Sequence, residues 1–209
     1  MKLEYQRGIL IKGDDDFVSK TRSHLEYIAM TSLRERLLQS LAASGQTVTL
    51  ILTSRVNETW PDNFEGALVK GGVLRWRSIS NKARSIWGHG TGSGSTIKYN
   101  PDRLRIGPSD WQRPLPGVWL AHELIHADDA AYGRMDAEEV DGVRNYERQA
   151  IGLPPYDQKE LTENRLRIEW AEPQPLRHVI DRRNVVFRKT AFLLMLMRNL
   201  KMPRFFWSE

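Results

Sequence analysis

Leu120-Ala121-His122-Glu123-Leu124-Ile125-His126-Ala127 is the stretch from which the rest of the chain can be read. With Val118 upstream, its apolar residues surround two histidines and one glutamate, so as a helix it has to be buried. On such a helix positions 122 and 126 share a face and lie roughly 6 Å apart. Two neutral imidazoles placed this way can each give one ring nitrogen to a tetrahedral zinc ion. Glu123 falls about 100° further round. A carboxylate there stands beside the metal without being a ligand, which is where a general base is needed. The H-E-x-x-H spacing therefore predicts one Zn2+ per chain on His122 and His126, with Glu123 as the catalytic residue.

Zinc needs a third protein ligand, and Asp128, Asp129, Glu138, Glu139, Asp141 and Glu147 follow in sequence. Asp128 and Asp129 sit too close along the same helix to turn back onto the metal. Glu147, on the next predicted helix, can be brought alongside by a helix–turn–helix return, and a carboxylate in that place completes a His-His-Glu set. Glu147 is the preferred ligand and Glu139 the next choice.

Working outward, Pro114 and Pro116 introduce the metal helix, which runs to about Ala130. A second helix is predicted over 137–150, ended by Gly152 and Pro154-Pro155, and a third over 158–169. Towards the N-terminus, Asp14-Asp15-Asp16 precede apolar residues at helical spacing from 17 to 41, and Gly45 stops the pattern. Thr47 to Thr53 is rich in β-branched residues and reads as a strand, with shorter strands at 66–70, 73–79 and 95–99. The glycine-rich run from Trp87 to Ser95 lacks the Gly-Lys-Ser/Thr ending of a phosphate loop and reads as a mobile surface loop or hairpin turn. A strand over 177–186 and an apolar helix over 188–200 follow. Helix, strands and then helices give an α+β fold. It is expected as one domain spanning 1–209, with motifs in 90–170 and a C-terminal extension, 177–209, packed on the core.

The 209 residues contain no cysteine, which excludes disulfides, thiol catalysis and thiolate ligands. Lys and Arg exceed Asp and Glu by 31 to 26, without a basic run interleaved with aromatics, so no nucleic-acid partner is expected. The N-terminal residues hold no apolar stretch of signal-peptide length, and the longest apolar run, 191–197, is too short to span a bilayer. A soluble monomer without a membrane partner is expected.

Four stretches resemble the NleD-like effector metallopeptidases. They are Gly94-Ser95-Thr96-Ile97-Lys98-Tyr99-Asn100-Pro101, the histidine motif itself, Glu147-Arg148-Gln149-Ala150-Ile151-Gly152-Leu153, and Thr162-Glu163-Asn164-Arg165-Leu166-Arg167, similar to a T-E-N-x-x-R element. The family's doubled acid before the glycine is Tyr146-Glu147 here, leaving one carboxylate to choose. The resemblance implies a compact zincin-like domain and a zinc endopeptidase passed by type III secretion into the host cytoplasm. Its partner would be an intracellular protein substrate; some members cleave mitogen-activated protein kinases. The resemblance carries over His122, Glu123, His126 and Glu147, and marks Glu163, Asn164 and Arg167 as near-site residues. Tyr156, after two prolines, is another near-site candidate, and Tyr132, Tyr156, Arg167 and His178 could each donate to a developing oxyanion. The rivals are a toxin domain of the same chemistry aimed at other bacteria and a binding protein with a degenerate metal site.

Overall fold

Alternation of buried and wetter residues builds one sheet. The computed structural model describes residues 1–30, 32–69, 89–103, 105, 107, 109–112, 115–170 and 175–178. Within them, β1 (Lys2–Gln6), β2 (Ile9–Lys12), β3 (Val48–Leu52), β4 (Glu58–Pro61) and β5 (Ser95–Tyr99) form a five-stranded sheet in the order β1-β2-β3-β5-β4. β2 and β3 run parallel, as do β3 and β5, while β1 and β4 are antiparallel to their neighbours at the two edges. Ile9, Ile11, Val48, Leu50, Ile97 and Tyr99 alternate along the strands and are buried on one face.

That face is covered by helices. α1 (Asp15–Ile28) lies on β1 and β2, and α2 (Ser32–Ala43) and α1 both flank α4 (Pro116–Ala131), which lies on β5 and β4. The core fills the space between, with Phe17, Leu25, Leu37 and Leu41 meeting Leu120, Leu124 and Ile125. Asp14 caps α1 by accepting from the Phe17 amide at 2.8 Å, as its acidic start predicted. No helix among the described residues is long and apolar enough to cross a membrane. The fold is α+β: a small sheet packed on helices around the histidine-bearing α4.

Several elements differ from expectation. The predicted helix from 17 to 41 is two helices, because α1 ends at Ala29 and the buried Arg34 guanidinium donates to the Tyr27 carbonyl at its end, 3.1 Å away. The predicted strand at 66–70 begins as a short helix, α3 (Phe64–Ala67), capped by Asn63; among its described residues only Leu68 makes a bridge, to Met135. The predicted helix 137–150 is a hairpin, β6 (Glu139–Val140) and β7 (Val143–Arg144), followed by α5 (Asn145–Ile151). Asp141 and Gly142 have φ of 53° and 76°, and two successive positive values are what a two-residue hairpin turn requires. The third helix is shorter than predicted, α6 (Glu163–Ile168), capped by Thr162.

The described part of the glycine-rich run is packed against the end of α4. Ser93 N donates to the Ala130 carbonyl at 3.0 Å and Gly92 N to the Gly66 carbonyl at 2.9 Å. A Cβ at Gly92 would lie 2.3 Å from the Ala131 carbonyl oxygen, so glycine permits this backbone-on-backbone approach. The predicted strand 73–79 lies outside the described residues. The chain divides into Met1–His178 and Val179–Glu209; the second unit, with most of the predicted 177–186 strand and the whole 188–200 helix, also lies outside them.

Candidate metal centre

Every residue of α4 from 117 to 131 is buried, so its polar side chains must find partners inside the protein. His122, Glu123 and His126 are 4%, 3% and 2% exposed. The one-turn spacing sets the two imidazoles edge to face, ring centroids 4.7 Å apart, with their Nε2 atoms 3.1 Å from each other. Two ring nitrogens at that distance can share one ligand.

Glu147 arrives on α5. The tight hairpin of β6 and β7 reverses the chain, so the return predicted for a helix–turn–helix is made by a shorter device. Glu147 is 5% exposed, and its oxygens lie 3.7 Å from His122 Nε2 and 3.6 Å from His126 Nε2. Among the described residues, His122, His126 and Glu147 are a group whose ligand atoms all lie within 4.8 Å of one another. Zinc with nitrogen and oxygen ligands at 2.0–2.1 Å has a tetrahedral edge of about 3.3–3.4 Å. The three separations straddle that edge, and two imidazoles with one carboxylate are donors that suit zinc, so the residues fit the ion. Glu139, the second choice, is an exposed side chain on the hairpin with Arg144 3.6 Å away.

A carboxylate stands behind His122. Glu163, at the start of α6 and 1% exposed, places Oε2 2.7 Å from His122 Nδ1. Arg167 Nε donates to Glu163 Oε1 at 2.7 Å, and Arg177 Nη1 lies 3.3 Å from Oε2. Burial pushes the Glu163 carboxyl up, but Arg167, Arg177 and His122 together outweigh it and hold it well below the usual carboxylate range. Asn164 grips the Arg177 backbone from both sides, accepting from its amide at 2.8 Å and donating to its carbonyl at 2.9 Å. Arg167 also donates to the Pro175 and Trp111 carbonyls at 3.0 and 3.1 Å. The three near-site residues of the T-E-N-x-x-R element thus form one support that ends on His122.

Glu123 faces the sheet. Thr59 Oγ1, on β4, lies 2.7 Å from Glu123 Oε2. β5 is an interior strand, so the sheet edge nearest this carboxylate is β4. Tyr146 presents its ring to His126 at 5.6 Å between centroids. Tyr156 donates its hydroxyl to Asp136, which also accepts from Asn145 at 3.1 Å. Of the suggested oxyanion donors, Tyr132 donates to the Ser40 carbonyl at 2.9 Å, Arg167 is engaged as described, and His178 is exposed. Sequence reasoning missed Thr59 and Arg177. Thr59 sits in a four-residue strand too short to show a pattern, and Arg177 acts from an irregular segment through contacts 13 and 14 residues distant in sequence.

A family model of the M91 peptidases, described as effector proteins, matches residues 5–177. The chain belongs to this family. In this M91 peptidase the matched span holds every residue of the donor group and its support. No curated protein matches the sequence. Among solved structures, the catalytic domain of Clostridium botulinum neurotoxin serotype F is similar at 12% identity and a TM-score of 0.47, over 91% of this chain and 67% of that one.

Proposed function

We propose that this M91 peptidase is a single-zinc endopeptidase. Its substrate would be an intracellular host protein of the signalling class, such as a mitogen-activated protein kinase, reached by type III secretion. The observation that carries the chemistry is the buried convergence of His122, His126 and Glu147, with Glu123 one residue along the same helix. His122 Nε2, His126 Nε2 and a Glu147 oxygen would hold the ion. When bound, zinc supplies Lewis-acid chemistry, polarising a carbonyl and making water a better nucleophile near neutral pH.

The chain does the rest. Glu123 takes a proton from the attacking water as its oxygen adds to the scissile carbonyl carbon. As the C–N bond breaks, the same carboxyl returns that proton to the leaving nitrogen. Glu163, fixed by two arginines, holds His122 Nδ1–H and keeps Nε2 turned to the metal. Asn164 acts through Arg177, and Arg167 directly, as supports of Glu163. Tyr156 is tied to Asp136 and shapes the loop before the hairpin. An extended substrate would add to β4, the edge beside Glu123, by main-chain pairing. The effector description of the family supports a protein target.

The test compares zinc-loaded wild type with Glu123→Ala in host-cell lysate, reading new protein N-termini by mass spectrometry and zinc by elemental analysis. Wild type is expected to create a small set of new N-termini, absent with Glu123→Ala, while both hold about one zinc per chain. Cleavage that survives in Glu123→Ala removes the assigned base. Loss of zinc from Glu123→Ala means the ligand set is wrong. Cleavage confined to bacterial lysate replaces the host target with a bacterial one.

A further inference from the structure

The carboxylate assigned as base is gripped from the sheet. Thr59 Oγ1 lies 2.7 Å from Glu123 Oε2 and 3.0 Å from the Glu123 carbonyl oxygen. A hydroxyl carries one hydrogen. The shorter contact, to the side-chain carboxyl oxygen, takes it. Thr59 pairs across the ladder with Ile97, which is fully buried, so residue 59 is on the face turned to α4. Glu58 and Trp60 are on the opposite face, where Lys98 meets both. The strand's alternation therefore gives one side chain to the base and leaves its backbone edge, among the described residues, paired only with β5.

We propose that Thr59 is a positioning residue for catalysis: its hydroxyl ties Glu123 Oε2 to β4, so the strand that would carry an extended substrate also sets where the base stands. This rests on the peptidase reading above. Between the β4 backbone and the carboxylate there is a single rotatable side-chain bond, and a β-branched residue holds that bond stiffly. A substrate strand paired with β4 is then in register with the Glu123 carboxylate through two short links. A base displaced by an ångström can lose about a hundredfold in rate, which is the scale of effect the tie should control.

The experiment uses full-length zinc-loaded protein and a synthetic peptide spanning the bond that wild type cleaves in lysate. Thr59→Val keeps the shape and loses the hydroxyl, whereas Thr59→Ser keeps the hydroxyl. Thr59→Val is expected to lower kcat by about 10- to 100-fold with KM within about threefold and zinc content unchanged, and Thr59→Ser to restore most of kcat. A kcat for Thr59→Val within about twofold of wild type, or a Thr59→Ser as slow as Thr59→Val, overturns the proposal. An independent reading comes from zinc-free protein, where urea midpoints of Thr59→Val, Glu123→Ala and the double variant are compared. Non-additive shifts are expected, and additive ones overturn the contact. If wild type cleaves nothing while the cycle is non-additive, the peptidase reading falls and takes the assigned role with it, although the contact stands. The two failures are thus told apart.

Discussion

One turn of α4 separates two clusters of buried charge that are built on opposite plans. At the C-terminal end, Asp128 and Asp129 are both fully buried, and the chain supplies the cations. Arg134 and Ser40 Oγ, at 2.6 Å, donate to Asp128, and Lys159 Nζ donates to Asp129 at 2.7 Å. At the other cluster, His122, His126 and Glu147 bring ligand atoms within 4.8 Å of one another, and none of the three is a fixed cation. The contrast extends to the layer behind. Glu163 is matched by Arg167 and Arg177 as thoroughly as Asp129 is by Lys159. Among the described residues, the inner group of the candidate metal centre is the one that brings metal-suited donors together. Burying ionic groups is costly unless they are paired or bind a metal. Where the chain brings the counter-charge, burial is structural; where metal-suited donors converge, burial is what a metal site requires.

The sharpest way to break this comparison is to empty the inner group. His126→Ala is expected to retain less than about a tenth of an equivalent of zinc and to show no cleavage, by elemental analysis and lysate proteolysis. A variant that still binds one zinc would show that these donors are not the site. In wild type, zinc at about a hundred times its Kd should add about 2.7 kcal/mol to the stability of the zinc-free protein. No response of the urea midpoint to zinc would place this group with the self-contained clusters.

The next effect separates the support from the site. Glu163→Gln should weaken zinc by about 10- to 100-fold, measured by competition with a chelating dye. It should also cost about 3 kcal/mol of stability, because two buried guanidiniums lose their anion. Asp129→Asn makes the matching change in the other cluster. Its partners are partly exposed, so the cost is smaller, about 2 kcal/mol, and zinc affinity should stay within about twofold. A shift of zinc affinity in Asp129→Asn as large as that in Glu163→Gln would dissolve the distinction.

What sequence could show follows the same division. The donor group was legible because helical periodicity fixes where residues 122, 123 and 126 point, and because a short return limits which acid can reach them. Glu147 does reach the two histidines, but by a different route from the predicted one: the Asp141-Gly142 turn signal outweighs the helical pattern predicted over 137–150. Glu163, Asn164 and Arg167 were visible only as a family element, without roles, since the link from α6 to His122 depends on tertiary packing. β4 and Thr59 were illegible. Four residues ending in Pro61 carry too little alternation to announce a strand, and nothing local tells that β4 lies outside β5. The two-residue hairpin of β1 and β2, joined at Arg7-Gly8, was missed for a related reason: Lys2, Glu4 and Gln6 on an edge strand dilute the apolar pattern.

The smallest effect is the most discriminating about electrostatics. Burial pushes the Asp128 carboxyl above its usual range, against the opposing pull of Arg134. Its charged form is therefore less welcome in the fold than in water. Asp128→Asn removes that charge while its amide oxygen can still accept from Ser40. Arg134, whose side chain is 32% exposed, can turn to Asp129 or to solvent. The net change should be within about 1 kcal/mol at pH 7. The sign of its pH dependence is opposite to that of Glu163. For Asp128 the penalty is present above its raised folded-state value and fades as pH falls through that value towards the ordinary 3.8, so acidification favours wild type over Asp128→Asn. For Glu163, held low, the stabilisation is full above the ordinary 4.5 and is lost as pH falls towards its folded-state value, so acidification narrows the gap between wild type and Glu163→Gln. Urea midpoints of zinc-free protein, followed from about pH 7 downward, measure both gaps. Gaps that move in the same direction would mean that the two carboxylates, one turn of chemistry apart, are buried on the same terms after all.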